Sequence, residues 1–336
     1  CLHSRGAITN LVVEVQPALG VSHEVDGERI LHVRAVGLNF RDVLNVLGEY
    51  PGTPGPPGGD CAGDTVSTGG PVVPSFGYAD APLASWARTT RWLVVPLPAP
   101  LAYEQGSTLP SAWSTAHMAF GGCCVASDGA LLMHAAAGGV GVVAIEYAQW
   151  MRLRTRGSAG KPYKHRYVRQ SSGGHMSSSR DAAVSSLGMS HELNACRLHF
   201  AVNSLSMDFI ALACALMAED GCFEEIGKRG VWSTHQIEGA APSLVHNVLA
   251  LDSTMAADPS WGQAILCLLS ARVLGGITAS LVLQCFDMSA QYELAFRTLR
   301  NGLNMGKVVA RMPAAREAAD GSHDVTGGTS GLRLLT

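Results

Sequence analysis

A run of small residues from His134 to Gly141 is the strongest chemical motif in this 336-residue chain. The run reads HAAAGGVG; an apolar segment precedes it and an amphipathic one follows, which predicts a strand, a tight turn and a helix. In that setting backbone N–H groups can approach a pyrophosphate, whose charge the helix dipole favours. Ala136, Gly138 and Gly141 take the spacing of the G-x-G-x-x-G pattern, with alanine in the first place. The candidate dinucleotide ligands are Ala136, Gly138, Gly139, Val140 and Gly141.

A basic segment, residues 154–169, lies about 20 residues past this turn, where dinucleotide sites read the adenosine ribose. It contains no Asp or Glu, and basic groups at this place favour NADPH over NADH. The candidate ligands for a 2′-phosphate are Ser158, Lys161, Lys164 and Arg166. Simpler interpretations stay open: the small residues only allow close helix–strand packing, and the basic segment is a solvated loop. The wider stretch 156–181 is polar and predicts a loop.

Composition limits the classes of protein that the chain can be. Hydrophobic residues make up 47% and charged residues 15%, which is enough for a large buried core. The net charge of −3 does not indicate the basic surface that a nucleic-acid-binding protein would have. The nine cysteines form no C-x-x-C pair, so we interpret them as reduced thiols in a cytoplasmic compartment.

One apolar stretch, Trp261–Phe286, has the length of a membrane span. Arg272 lies in its middle and Gly275–Gly276 reads as a helix end followed by a β-branched run. We therefore predict a helix, a turn and a strand in a protein core, and no membrane segment.

The elements that position these motifs change in type near Pro100. Before it, NLVVEV, RILHVRAV and WLVV predict strands, and the Pro/Gly-rich stretch Tyr50–Gly63 predicts an irregular loop. After it, strand-like and helix-like segments alternate, which predicts a parallel sheet covered on both faces. The chain is long enough for two domains.

Seven segments in order then resemble one family, the enoyl reductase domain of modular polyketide synthases and animal-type fatty acid synthases. This is a zinc-independent branch of the medium-chain dehydrogenase/reductases, and the resemblance covers roughly residues 5–312. The segments are VRAVGLNFRDVLNVLGEYPG, PPGGDCAG, TLPSAWSTAHMA, HAAAGGVG, NSLSMDFI, FEEIGKRGVWS and LAFRTLRNGLNMGKVV.

The resemblance implies an α/β fold with a β-rich GroES-like catalytic domain and a Rossmann domain with a doubly wound parallel sheet. We assign residues 1–100 and 255–312 to the catalytic domain and 101–254 to the Rossmann domain. Residues 313–336 contain VTGGTSGL, which resembles the start of a ketoreductase, so we interpret them as a linker and a truncated next domain. The chain is then a fragment of a synthase.

The implied reaction is hydride transfer from NADPH to the β-carbon of an α,β-unsaturated thioester on an acyl carrier protein. The enolate is then protonated at the α-carbon. The implied partners are that carrier-bound substrate and neighbouring synthase domains, a ketoreductase among them, in the cytoplasm. The oligomeric state stays open.

Three residues match catalytic positions of the family. Lys228 matches a proposed proton donor, Asp252 an acid that works with it, and Tyr50 a tyrosine near the substrate. The alternatives are a surface lysine, a helix N-cap and a packing aromatic. The resemblance also assigns Asn203 and Gly227 to the cofactor and Asn39, Arg41 and Asp42 to the substrate cleft, although the last three could equally form a structural network.

Metal binding is not expected. Zinc-dependent relatives carry a G-H-E signature where this chain reads GGDCAG, and Cys61 alone supplies no tetrahedral ligand set. His117 and His134 are isolated in apolar surroundings and read as core or cleft residues.

Two departures from the family keep other functions open. Residues 64–86 are shortened or rearranged, which predicts an incomplete β-barrel, and the chain has extra residues near Lys161. The alternatives are a stand-alone quinone or enone oxidoreductase and a catalytically inactive structural remnant.

Overall fold

The computed structural model describes residues 2, 4–16, 27–66, 71–122 and 125–313. The segment interpreted as a ketoreductase start lies outside the described residues, apart from Pro313. The strands are β1 (Glu28–Leu38), β2 (Asp60–Val66), β3 (Val73–Tyr78), β4 (Trp86–Thr90), β5 (Val94–Pro96), β6 (Ala130–Met133), β7 (Arg154–Ala159), β8 (His175–Ser178), β9 (Leu198–Asn203), β10 (Met217–Glu225), β11 (Val245–Val248), β12 (Leu283–Asp287) and β13 (Lys307–Arg311).

Helices occupy most of the remaining described chain. They are α1 (Phe40–Leu47), α2 (Tyr103–Gly106), α3 (Pro110–Gly121), α4 (Gly139–Trp150), α5 (Pro162–Ser172), α6 (Ala182–Leu193), α7 (Asp208–Leu216), α8 (Thr234–Ala240), α9 (Leu251–Ala257), α10 (Pro259–Leu274) and α11 (Met288–Arg300), with a 3₁₀ turn at Ile8–Asn10. None of the helices in the described residues has both the length and the apolar character needed to cross a membrane.

The first sheet has seven strands in the order β12-β13-β1-β2-β3-β5, with β4 also paired to β1. All its pairs are antiparallel except β12 with β13. The strands β2 to β5 all pair within this sheet, so the parts of segment 64–86 that form β2, β3 and the start of β4 belong to it. The last two strands therefore return to the sheet formed by the first hundred residues.

The second sheet is entirely parallel, with the order β11-β10-β9-β6-β7-β8. Counted from β6, this is the 3-2-1-4-5-6 order of dinucleotide-binding folds. One face packs on α3, α4 and α10 around Trp113, Phe120 and Phe200. The other face packs on α6, α7 and α8 around Phe223 and Ile237. In such sheets, ligands bind outside the carboxyl ends of the strands.

Two local predictions were wrong. NLVVEV is not a strand: Leu11 forms an isolated bridge with Leu2, the residues after it are irregular, and Val15 is 96% exposed. The stretch 156–181 is not a loop but the end of β7, α5 and β8. Its buried strand serines have partners for their hydroxyls: Ser177 pairs with Ser185, and Ser158 pairs with His134.

The stretch that resembled a membrane span is a core helix. As predicted, α10 ends just before Gly275–Gly276, but the strand that follows begins at Leu283, later than the β-branched run suggested. The boundaries assigned to the two domains stay a prediction.

Candidate functional site

The glycine turn joins β6 to α4 at the carboxyl edge of the parallel sheet. Gly138 precedes the first helical residue, and a Cβ placed on it would meet only the Ala135 carbonyl oxygen, at 3.2 Å. A Cβ on Gly141 would lie 2.6 Å from backbone atoms of Ala136, so this position requires glycine. The turn thus has an open backbone beside a helix N-terminus, which fits a pyrophosphate. It also permits close packing, so both interpretations of the motif apply.

The turn is attached to the first sheet as well. Gly306, just before β13, donates its N–H to the Ala137 carbonyl at 2.8 Å. The aliphatic stem of Lys307 lies 3.5 Å from a Cβ placed on Gly139. The candidate cofactor turn therefore lies where the two sheets meet.

His134 and Ser158 lie buried under the turn, each with 0% exposure. His134 Nδ1 is 2.8 Å from Ser158 Oγ, and the Ser158 carbonyl accepts the Ala136 N–H at 2.9 Å. Burial lowers the pKa of His134 to about 4, so the ring is neutral at physiological pH. Ser158, predicted to hold a 2′-phosphate, is engaged here in supporting the turn.

A cluster of three cations lies beyond the ends of β7 and β8. Lys161 precedes α5 and is exposed, whereas Lys164 is only 8% exposed. Burial, and next the charges of Arg180 and Lys161, lower the pKa of Lys164 to about 8. Within the described residues Lys164 has no hydrogen bond or ion pair to an acid. A buried ammonium that faces two further cations fits an anionic ligand such as a phosphate.

Arg180 was missed by the sequence analysis. It follows β8, and its Nη2 is 3.5 Å from the Asn301 carbonyl. A search of the residues that follow β8 could have found it, because the carboxyl ends of parallel strands lie together at one edge of the sheet. Arg166, by contrast, was predicted and is an exposed residue of α5.

Asn203 and Glu225 form a buried pair at the ends of β9 and β10. Asn203 Nδ2 donates to Glu225 Oε2 at 2.6 Å, and the Gly227 N–H donates to Glu225 Oε1 at 2.6 Å. Burial raises the pKa of Glu225 to about 7, and the hydrogen bonds and Lys228 only partly offset that rise. The two residues predicted for the cofactor, Asn203 and Gly227, are thus connected through an acid that the sequence analysis did not select.

Lys228 lies directly after this pair, where the loop leaves β10. Its Nζ donates to the Leu249 carbonyl at 2.6 Å, and the Leu249 N–H in turn donates to the Glu225 carbonyl at 2.8 Å. Burial lowers the pKa of Lys228, although the charges of Asp252 and Glu225 oppose the change. A lysine of lowered pKa is a stronger acid, which suits a proton donor.

Asp252 and Tyr50 meet through Arg41. Asp252 Oδ2 accepts from Arg41 Nε at 2.8 Å and from the Tyr50 hydroxyl at 3.3 Å. Asp252 is not the N-cap of α9, a position taken by Ala250. It also makes no ion pair with Lys228 in the described part of the chain, because the guanidinium of Arg41 takes its carboxylate. The predicted partnership of Asp252 and Lys228 is therefore limited to charge acting at longer range.

Asn39 and Asp42 hold the start of α1. Asp42 accepts the N–H of Asn39 at 2.7 Å and the N–H of Gly58 at 2.8 Å, and its side chain is 1% exposed. Asn39 Oδ1 accepts from Lys307 Nζ at 2.6 Å. Both residues form the structural network that the sequence analysis left open, and their predicted contact with a substrate stays a prediction.

Metal ligands do not cluster in the described residues: no group of three or more His, Cys, Asp or Glu side chains could hold an ion there.

No protein-family model matches the chain. The chain is 31% identical to erythronolide synthase EryA2 of Saccharopolyspora erythraea over 98% of its own length, and it spans 9% of that synthase. It is 30% identical over 91% of its length to the pikromycin polyketide synthase component PikAII of Streptomyces venezuelae, of which it spans 8%.

Among solved structures, the chain is similar to the CurK enoyl reductase, with a TM-score of 0.83 and 27% identity. The match covers 93% of this chain and 98% of that one. The predicted resemblance, the α/β class and the combination of a GroES-like domain with a Rossmann domain are confirmed. The chain is thus similar in sequence and fold to an enoyl reductase of the medium-chain dehydrogenase/reductase type.

Proposed function

From the similarity of this chain to polyketide synthases and to the CurK enoyl reductase, we propose that it is an NADPH-dependent enoyl reductase of the medium-chain dehydrogenase/reductase family. Its substrate would be an α,β-unsaturated acyl thioester carried by an acyl carrier protein. We also propose the predicted setting: other synthase domains as neighbours, a ketoreductase among them, in the cytoplasm. The similarity to synthase chains over almost the whole sequence supports this proposal.

The cofactor of the proposal is NADPH, which supplies a hydride when bound. The open backbone at Gly138 and the N-terminus of α4 would hold its pyrophosphate, as the absence of a side chain at Gly138 allows. Lys164, with Lys161 and Arg180, would hold its 2′-phosphate, because a buried ammonium without an acidic partner needs a negative charge. Asn203 and Gly227 would contact the end of NADPH that lies away from the 2′-phosphate.

Lys228 would donate the proton to the α-carbon. Burial lowers its pKa, and the Leu249 carbonyl at 2.6 Å fixes the position of its ammonium group. Tyr50 is less suited to this step, because burial, and next the charge of Asp252, raise the pKa of its phenol. We assign to Tyr50 a role in contacting the substrate, with Asp252 holding its hydroxyl.

The observation that carries the proposal is the position of Lys228. It lies at the carboxyl end of β10, beside Gly227 and close to the carboxylate that binds Tyr50. Among the three described residues that match catalytic positions of the family, only Lys228 can donate a proton and also has a lowered pKa.

The experiment that tests the proposal follows NADPH absorbance with purified protein and a crotonyl thioester of pantetheine. We expect thioester-dependent oxidation of NADPH and a loss of about 100-fold in kcat for Lys228→Met, as is typical for a proton donor. Arg229→Met, which changes the next residue, is the matched control. Turnover of a quinone without turnover of the thioester would favour the stand-alone oxidoreductase, and no turnover with no NADPH binding would favour the inactive remnant.

A further inference from the structure

The Asp252 carboxylate forms an ion pair with Arg41 but not with the nearby Lys228. Arg41 Nε is 2.8 Å from Asp252 Oδ2, whereas the Lys228 ammonium donates to the Leu249 carbonyl. Asp252 is nevertheless close enough to Lys228 for its charge to act on the lysine. The carbonyl that binds the ammonium belongs to Leu249, three residues before Asp252, so the carboxylate and the ammonium lie at neighbouring points of the same chain segment.

Arg41 is anchored at three further points, which explains why it keeps the carboxylate. Its Nη2 donates to the Pro54 carbonyl at 3.0 Å, and its guanidinium lies over the Tyr50 ring at 5.3 Å from the ring centre. Its Nη1 is also 3.8 Å from the buried carboxylate of Asp42. A guanidinium held in this way is pre-organised, whereas a lysine ammonium on a flexible stem is not.

The charged groups that act on Lys228 are few. Asp252 comes from α9 and Glu225 from the end of β10, and both favour the charged form of the lysine. Glu225 is committed to Asn203 and to the Gly227 N–H, so it cannot move toward the ammonium. The position of Asp252, in contrast, depends on its ion pair with Arg41 of α1.

We propose that Arg41 is a positioning residue that holds the Asp252 carboxylate on the Tyr50 hydroxyl and so keeps it away from the Lys228 ammonium. This inference deepens the proposed function and rests on it for the role of Lys228. Without Arg41, the carboxylate would turn to Lys228 and stabilise its charged form. The lysine would then be a weaker acid, and Tyr50 would lose its hydrogen-bond acceptor.

The test measures the effect of Arg41→Met in two backgrounds, the wild-type protein and the Asp252→Asn variant. The pKa of Lys228 is measured without turnover, from the pH dependence of competitive acetylation of that lysine, read by mass spectrometry. We expect Arg41→Met to raise this pKa by about 0.3 to 1 unit, since the pair is partly exposed and its charges are screened. The double-mutant control adds Arg41→Met to Asp252→Asn. The pKa of Lys228 should then be the same as in Asp252→Asn alone.

Turnover gives the second readout. Because the protonated lysine is the acid, activity falls as pH rises through its pKa, and the basic limb of kcat against pH should move to higher pH in Arg41→Met. Arg41→Lys keeps a cation but loses the anchored guanidinium, so its profile should lie between those of wild type and Arg41→Met. Circular dichroism of each variant confirms folding.

The outcomes separate the two proposals. An unchanged Lys228 pKa in folded Arg41→Met overturns the role of Arg41, whatever the activity. A raised pKa in a protein that reduces no thioester supports the placement of Asp252 and overturns the proposed function.

Discussion

Lys307 Nζ lies 2.6 Å from Asp60 Oδ2, and both side chains are almost fully buried, at 4% and 0% exposure. Asp60 also accepts from the N–H and hydroxyl of Ser111 in α3, and Asn39 bonds to both members of the pair. The pair therefore joins β2 and β13 of the first sheet to the helix that packs on the second. Because Lys307 also packs against the glycine turn, the pair supports the site where the cofactor would bind.

Breaking this pair from one side should strongly destabilise the fold. Lys307→Met and Asp60→Asn each leave a buried charge without its opposite charge, and we expect each to lower the free energy of unfolding by about 3–5 kcal/mol. Urea denaturation measures the change. Arg297→Met, which removes an exposed ion pair to Glu293, is the control and should cost about 0.5 kcal/mol or less. Losses below about 1 kcal/mol for both buried variants would contradict the structural role.

The glycine turn offers a pair of matched substitutions. Gly141→Ala would place a Cβ 2.6 Å from backbone atoms of Ala136, whereas Gly139→Ala would meet nothing closer than 3.5 Å. We expect Gly141→Ala to lower the free energy of unfolding by about 1–3 kcal/mol, because the backbone must shift. Gly139→Ala should change it by about 0.5 kcal/mol or less. Thermal and urea unfolding test both, and equal effects would mean that close packing is not what Gly141 provides.

The cation cluster should decide the choice between cofactors. Removing the ammonium in Lys164→Ala loses a charge-assisted contact to the 2′-phosphate, so we expect the Kd for NADPH to rise about 10- to 100-fold. Arg180→Ala should act in the same direction, and the Kd for NADH should change by less than about threefold in both. Arg169→Ala, which removes a cation from the last turn of the same helix, is the control. Cofactor fluorescence titration gives the constants. Equal losses for NADPH and NADH would place the phosphate elsewhere.

His134 should make stability depend on pH. The folded state holds the ring neutral, with a pKa of about 4, while the unfolded chain takes up a proton near pH 6.5. The unfolded state therefore binds more protons between these values, and the stability that this residue contributes above pH 6.5 is lost as pH falls toward 4. We expect a loss of up to about 3 kcal/mol, absent in His134→Gln. Urea unfolding from pH 7 to 4 measures it, with exposed His235→Gln as the control. The same pH dependence in His134→Gln would assign the effect to other groups.

Local patterns in the sequence were sufficient for some parts of the site. The glycine turn could be predicted because its strand, turn and helix are contiguous in the sequence. Lys228 was selected through the family resemblance, and its role as proton donor stays a prediction. The same local reasoning failed for NLVVEV, because apolar residue types alone did not predict that the segment is irregular and largely exposed. It failed for 156–181 because buried serines look like loop residues until their hydroxyl partners are known.

Contacts between distant residues could not be predicted from the chain alone. Asp60 and Lys307 are 247 residues apart, and Arg41 and Asp252 are 211 apart. In the sequence, nothing distinguishes these four residues from other charged residues, because their partners become neighbours only in the folded protein. Glu225 was missed for the same reason, since its significance comes from Asn203. Arg180 could have been sought at the end of β8, but its relation to Lys164 is visible only in the fold.

The most direct test of the proposed reaction is where the hydride goes. The protein is incubated with a crotonyl pantetheine thioester and NADPH deuterated at the transferred C4 position, and the product is analysed by mass spectrometry and NMR. We expect a saturated butyryl thioester with one deuterium at the β-carbon and a solvent proton at the α-carbon. A deuterium at the carbonyl carbon, or a thioester that stays unsaturated while NADPH binds normally, would contradict enoyl reduction by this chain.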